Sequence, residues 1–328
     1  EFPSEVEKQS EKIPEAVSQE DITKRRDLRD KVIITIDGED AKDLDDAVSL
    51  EILPDGDYLL GVHIADVSQY VFENSYLDKE AIKRGTSVYL IDRVVPMLPK
   101  RLSNGICSLN PQLDRLTLSC DMEIDRKGKV KKYEIYESVI KTKERMTYEN
   151  VNKILADSDP VLAEKYGSLL NTFKQMEELM QILNKKRRLR GSINFEFEET
   201  KIILDEKGKP IEIKPYERGI SERIIEEFML VCNETVAEHM YWKETPFIYR
   251  VHEDPDAEKL QAFNEFIFNF GYHLKGIAEI HPKALQQLTD QIKGTKEERI
   301  INTLMLRSLK KARYTSTSMG HFGLAAKY

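Results

Sequence analysis

The sequence predicts an α+β fold, a mixed β-sheet flanked by helices, on three observations. Short apolar runs bounded by turn residues fill the stretch from Val32 to Lys141. Beyond Thr147 the apolar period lengthens toward that of a helix. No internal repeat or low-complexity segment interrupts either stretch. With 328 residues, 40% of them hydrophobic and 33% charged, the chain reads as globular. It is expected to form one domain over residues 31–328, near the upper limit for a single core. Residues 1–30, with Pro3, Pro14 and little apolar content, read as a linker with short helical pieces leading in from an upstream region.

In chain order, Val32–Ile36 and Ala47–Ile52 predict strands on either side of an acidic stretch, and Pro54-Asp55-Gly56-Asp57 turns the second into a hairpin with Tyr58–Ile64. Leu77–Arg84 predicts a short helix stopped by Gly85. Ser87–Leu90, Leu116–Ile124 and Val130–Lys141 continue the strands. Val151, Ile154 and Leu155 share a helical face, and a long helix is predicted from Val161 to about Arg188. Strands at Lys201–Leu204 and Ile211–Lys214 precede a helix from Ser221 to Tyr241 with Ile224, Ile225, Phe228, Met229 and Val236 as its apolar stripe. The strand Phe247–Val251 and helices at Asp256–Phe270, Pro282–Gln291 and Lys296–Leu309 complete the pattern.

Composition excludes several classes. No apolar run reaches membrane-spanning length and Glu1-Phe2-Pro3 opens no signal peptide, so a cytoplasmic, membrane-free chain is expected, with a monomer as the default. Cys107, Cys120 and Cys232 are widely spaced and form no C-x-x-C pair, which argues against disulfides and zinc and for buried thiols. The net charge of −8 leaves a polyanion partner open, because local basic surface can serve one. Lys185-Lys186-Arg187-Arg188 with Arg190 is such a run, and Arg307, Lys310, Lys311 and Arg313 a second. A solvated helix face is the commoner fate of both.

Chemistry concentrates at Asp37, Asp43, Asp45 and Asp46, between the first two strands. Carboxylates this close resist joint ionisation unless a cation neutralises them. Hard divalent cations prefer oxygen ligands, so magnesium or manganese, one ion or two, fits the donor set, and phosphoryl transfer fits the cations. An acidic turn is an even rival from spacing alone. A calcium loop counted from Asp37 places Lys42 and Val48 where glycine and glutamate are required, and fails.

The acid cluster stands with His63-Ile64-Ala65-Asp66-Val67-Ser68, Val95-Pro96-Met97-Leu98-Pro99, Leu102-Ser103, Cys107-Ser108-Leu109 and Gly320-His321-Phe322-Gly323-Leu324-Ala325. Together these resemble the catalytic RNB domain of the ribonuclease II/R family over nearly all of residues 25–328. The wording of Gly38–Asp43 looks most like the bacterial ribonuclease R branch. The resemblance implies an RNA channel leading to a buried acidic metal site, and processive 3′-to-5′ hydrolysis of single-stranded RNA to nucleoside 5′-monophosphates with magnesium. It also implies catalytic and metal roles for Asp37, Asp43, Asp45 and Asp46, with Asp45 the most indispensable. Tyr89 and Phe195 match the aromatics that stack on the 3′-terminal bases; Tyr148 and Glu226 match positions near the RNA; Arg250 faces either phosphate or an ion pair. Stacking reads no sequence, which suits an enzyme degrading any RNA, and no DNA substrate is expected. His63 and His252 are discounted as general bases, because a metal-bound water needs neither.

The family's Gly-His-Phe-Gly-Leu-Ala segment is followed by Thr-Ser-Pro-Ile-Arg-Arg-Tyr, which supplies an arginine to the scissile phosphate, whereas this sequence stops at Ala326-Lys327-Tyr328. The resemblance therefore implies a fragment truncated at both ends, lacking the downstream OB-fold domain and slow in its own turnover. An RNA-binding module with impaired catalysis and another two-metal phosphodiesterase remain as alternatives.

Overall fold

A computed structural model describes residues 1–194, 199–216 and 218–328. Its mixed α+β fold groups by contacts into two compact units, Glu1–Met180 with Glu198–Cys232, and Gln181–Phe197 with Asn233–Tyr328.

The first unit begins with two short helices, α1 (Ser4–Glu11) and α2 (Gln19–Thr23), and then builds strands β1 (Arg26–Asp27), β2 (Ile34–Asp37), β3 (Asp46–Ile52) and β4 (Tyr58–Ala65). Helix α3 (Tyr76–Arg84) follows, capped by the Ser75 hydroxyl and stopped by Gly85 at φ 74°, a left-handed conformation that glycine adopts without Cβ strain. Next come the small hairpin β5 (Val88–Tyr89) and β6 (Val94–Val95) and strands β7 (Asp114–Ile124), β8 (Val130–Lys141) and β9 (Glu144–Thr147). Helices α4 (Tyr148–Asn152), α5 (Pro160–Lys165) and α6 (Leu170–Arg190), hairpin β10 (Glu199–Leu204) and β11 (Pro210–Tyr216), and helix α7 (Ile220–Trp242) complete the chain to this point.

Seven strands form one sheet in the order β1-β8-β7-β4-β3-β2-β9, parallel at β1–β8 and β2–β9 and antiparallel elsewhere. The chain passes from Lys141, near one edge, to Glu144, on the other edge, within three Cα steps. Those steps span at most about 11 Å, so the sheet curls until its two ends approach. One face carries a buried polar seam, with Ser49 opposite Gly61, His63 opposite Ser119 and Thr117 opposite Ser138. A Cβ on Gly61 would lie 2.4 Å from the Ser49 hydroxyl oxygen and 2.9 Å from His63 Nε2, so only glycine lets the seam close there. On the opposite face Tyr58, Leu60, Val62, Cys120 and Met122 are buried.

Two expectations need correction. Residues 1–30 do contain short helices, but Val6 and Ile22 are buried in a cluster with Tyr70, Leu77, Leu102 and Val139, and Arg25 makes an ion pair of 2.6 Å with Asp66 whose side chains are 5% and 3% exposed. A linker has no such anchors; apolar burial ties this segment into the first unit. The long helix from Val161 is in fact α5 and α6, separated at Tyr166–Leu169, where Gly167 interrupts the helical run and a tight turn follows.

In the second unit, β12 (Tyr249–Val251) pairs antiparallel with β13 (Arg313–Thr315), and α8 (Ala257–Phe268), α9 (Pro282–Ile292) and α10 (Glu298–Ser308) lie between them in sequence. Leu260, Phe263, Ile267, Leu285, Ile301 and Met305 head its core, joined by Phe322 from the Gly320–Ala325 motif. Both basic runs meet acids here. Arg190 bonds Glu234 at 2.6 and 2.8 Å, Arg188 bonds Asp290 at 2.9 Å, and Lys310 and Arg313 both bond Glu253. The three cysteines are buried free thiols, as the sequence predicts. Among the described residues no helix is long and apolar enough to cross a membrane.

Candidate functional site

The acidic residues sit at one end of the sheet, in the connection between β2 and β3. Asp37 ends β2, Asp46 begins β3, and residues 38–45 loop between them. Leu44 decides how this loop faces. It is 1% exposed and packs with Leu28, Ile33, Ala47, Ala65, Leu109 and Ile140. Burying it contributes about 2 kcal/mol, of the same order as the repulsion between carboxylates a few Å apart near a surface. With Leu44 inside, its neighbours Asp43 and Asp45 are turned out.

Backbone pinning fixes the rest. The buried Ser108 hydroxyl accepts the Leu44 amide at 3.0 Å and donates to the Lys42 carbonyl at 2.9 Å, and Leu109 N donates to the Leu44 carbonyl at 2.8 Å. From the other side, Arg145 Nη2 donates to the carbonyls of Gly38, Glu39 and Ala41 at 3.2, 2.7 and 2.7 Å. Ser108 lies within a motif quoted above without a role of its own. Arg145 carries no sequence signal, being one cation in a charged stretch.

The electrostatics follow from this crowding. Burial, then the Asp46 charge, raise Asp37 from 3.8 to about 7, against weaker lowering by Thr35 and Arg145. Asp45 is solvent-exposed at its rim, yet desolvation and then Asp43 and Asp46 raise it to about 6. Burial raises Asp46. Asp37 Oδ2 is buried and has no hydrogen-bond partner, which for a carboxylate oxygen is costly unless another donor or a cation arrives. Among the described residues no three acidic, histidine or cysteine side chains converge as a ready cage for a metal ion.

Tyr89, on the β5–β6 hairpin, donates its hydroxyl to Asp43 Oδ2. That bond first, and burial second, push its phenol up to about 12. Tyr148 opens α4 directly after Thr147, which pairs in register with Asp37. Burial, then the charges of Asp37 and Asp46, push its phenol up to about 12 as well. Glu226 is half-buried on α7, 3.7 Å from Arg218. Near the start of α7, the Ser221 hydroxyl donates to the Tyr148 carbonyl at 3.0 Å, tying this helix to α4. Arg250 lies in the second unit with its guanidinium 4.7 Å from the centre of the Tyr314 ring, a cation–π contact rather than an ion pair. Phe195 lies outside the described residues.

The discounted histidines are structural. His63 is fully buried between Ser49 and Ser119. His252 accepts the Gly323 amide and lies edge-on to His321.

Residues 25–328 match the RNB domain family. The chain is 54% identical to ribonuclease R 1 of Lactococcus lactis, with all of this chain and 40% of that protein aligned. It is 52% identical to ribonuclease R of Thermotoga maritima over 99% of this chain and 46% of that protein. Among solved structures it is similar to Mycoplasma genitalium RNase R in complex with ribose-methylated single-stranded RNA, at TM-score 0.92 and 32% identity, covering all of this chain and 51% of the other. The chain thus spans less than half the length of these two curated relatives.

Proposed function

The chain belongs to the RNB-domain family, and from that premise we propose that it forms the catalytic part of a 3′-to-5′ exoribonuclease. The reaction is hydrolysis of the terminal internucleotide bond of single-stranded RNA, releasing nucleoside 5′-monophosphates one after another. One observation carries the reading. A carboxylate-rich loop is pinned from both sides by Arg145 and Ser108, with Asp37 Oδ2 buried and partnerless at its edge.

The donors fit a hard divalent cation, because all of them are oxygens. Magnesium suits carboxylate oxygens of this kind, because it keeps several waters and is held by one or two carboxylates together with substrate phosphates. Asp37, Asp43, Asp45 and Asp46 would hold it, some directly and some through water. A bound divalent ion supplies Lewis-acid activation of water and stabilisation of the leaving 3′ oxygen.

The protein's own groups do the rest. The Tyr89 ring offers a stacking face to a terminal base, worth about 1–3 kcal/mol without sequence preference. The Tyr148 phenol, kept protonated beside Asp37 and Asp46, is a donor for a phosphate oxygen. The loop carbonyls of Gly38, Glu39 and Ala41 are engaged by Arg145, which holds the acid loop in one conformation. A monomer acting in the cytoplasm on RNA and not DNA completes the reading. The exposed Tyr89 ring beside a cavity lined by Lys42, Arg93 and Lys100 also fits a second reading, an RNA-binding module without catalysis.

One experiment separates them. The intact protein is incubated with end-labelled single-stranded RNA or DNA, with magnesium or a chelator. Mononucleotides released from RNA alone, lost with chelator and with Asp45→Asn, are expected. RNA bound without release, or full activity in Asp45→Asn, would overturn the assignment.

A further inference from the structure

We propose that Tyr89 is a positioning residue for Asp43, its hydroxyl orienting that carboxylate for the cation while its ring stays free for the terminal base. This deepens the exonuclease reading and rests on it. Asp43 Oδ2 accepts the Tyr89 hydroxyl, which leaves Oδ1 as the oxygen free to meet a cation. The charge of Asp43 is felt at Asp45, so the oriented carboxylate belongs to the same acid group. A hydrogen bond to one oxygen of a ligating carboxylate fixes the aim of the other, and such supporting contacts govern metal affinity by about 10–100-fold.

The hairpin makes the arrangement possible. Val88 pairs with Val95 and Tyr89 with Val94, Leu90 N donates to the Arg93 carbonyl, and the Ser87 hydroxyl accepts the Met97 amide at 2.9 Å. These bonds fix the Tyr89 backbone within the hairpin although the residue is 64% exposed, and its hydroxyl bridges from the hairpin to the acid loop at Asp43. A cavity of about 810 Å³ lies between hairpin and loop, lined by Lys42, Asp43, Tyr89, Leu90, Arg93 and Lys100 among others. It is large enough for a nucleotide, and its cations and apolar groups suit a phosphate and a base. One side chain therefore touches both the base subsite and the acid cluster, so that seating a base and aiming a carboxylate are physically linked.

Tyr89→Phe separates the two roles, since it keeps the ring and removes only the hydroxyl. Magnesium binding to the intact protein without RNA is measured by calorimetry, and the magnesium concentration for half-maximal RNA hydrolysis is measured alongside. For Tyr89→Phe both should weaken about tenfold or more, with excess magnesium restoring most of the rate. RNA affinity in chelator should fall far more in Tyr89→Ala than in Tyr89→Phe. In an Asp43→Asn background, Tyr89→Phe should add almost nothing, because the bond it removes is already altered. Melting temperatures of all variants check folding. A magnesium isotherm unchanged by Tyr89→Phe, or a full-size effect persisting in Asp43→Asn, overturns the inference and leaves the exonuclease reading standing. A parent protein that neither binds magnesium nor hydrolyses RNA removes that reading, and the inference with it.

Discussion

The Leu44 amide donates to the Ser108 hydroxyl at 3.0 Å across 64 residues of sequence, and the same hydroxyl donates to the Lys42 carbonyl. Ser108→Ala leaves the buried Leu44 amide without this partner and frees the part-buried Lys42 carbonyl, at a cost of about 2 kcal/mol. The melting temperature should drop by several degrees, and hydrolysis should fall further than stability alone explains, since Asp43 and Asp45 flank the released segment. Thermal unfolding and single-turnover cleavage on one preparation test this; an Ala variant with parental turnover would refute the pinning role.

Arg145 supports three carbonyls with one nitrogen. Lysine's side chain is one bond shorter than arginine's, so its ammonium falls short of the point where Arg145 Nη2 meets all three carbonyls. Arg145→Lys should therefore lower the single-turnover rate by about tenfold, equivalent to about 1.4 kcal/mol in the barrier. RNA affinity measured in chelator should stay close to the parent's. Equal losses in affinity and rate would place Arg145 on the RNA instead.

The strands around the acid loop are legible in the sequence because their signals are local: an apolar run, a turn, another run. All predicted strands of the large sheet are present, within two residues at their ends, and the Gly85 stop of α3 is where the pattern puts it. What the sequence hides is non-local. Arg145 reaches the Ala41 carbonyl across 104 residues, and no periodicity announces that. The basic run Lys185–Arg190 looks like free cationic surface until Glu234 and Asp290, 44 and 102 residues from their partners, are folded against it. Gly167 is a weak signal in the sequence, because the helix periodicity on both sides of it outweighs one poor helix former.

Asp37, one of the proposed cation ligands, is under electrostatic stress in the fold. Its carboxyl is raised from 3.8 to about 7 in the fold. A group raised on folding favours the native state at pH below its unfolded value, and that favour is lost as pH rises through the folded value. The full shift corresponds to about 4 kcal/mol, of which solvent screening and relaxation leave about half. In chelator at pH 8, Asp37→Asn should melt several degrees above the parent; at pH 4 the difference should vanish. Magnesium should narrow the gap at pH 8 by stabilising the parent alone, while RNA hydrolysis by the variant falls at least 100-fold. An Asn variant that melts below the parent at pH 8 would show that the acid is not under electrostatic stress.

His63 acts in the same pH range with the opposite sign. Burial, aided by the Lys31 charge, pushes it from 6.5 down to about 3. It stays neutral between the Ser49 hydroxyl at 3.1 Å and the Ser119 hydroxyl at 2.7 Å, and Ser119 bonds Ser138 in turn. The unfolded chain binds a proton below pH 6.5 that the folded chain refuses until about pH 3, so stability is complete above 6.5 and is lost as pH falls through that window. At pH 5 the loss is about 2 kcal/mol. Asp37 gains stability over part of the same window, so the net pH profile of the parent hides both effects. The difference between parent and His63→Gln isolates the histidine, because glutamine keeps polar partners for both serines and does not titrate. Urea unfolding at pH 5 and pH 8 should show a smaller loss on acidification in His63→Gln than in the parent, by about 2 kcal/mol, even if packing lowers the variant's stability at both. Parallel losses in the two proteins would mean that the seam admits a proton, and His63 would then return as a candidate for acid–base chemistry.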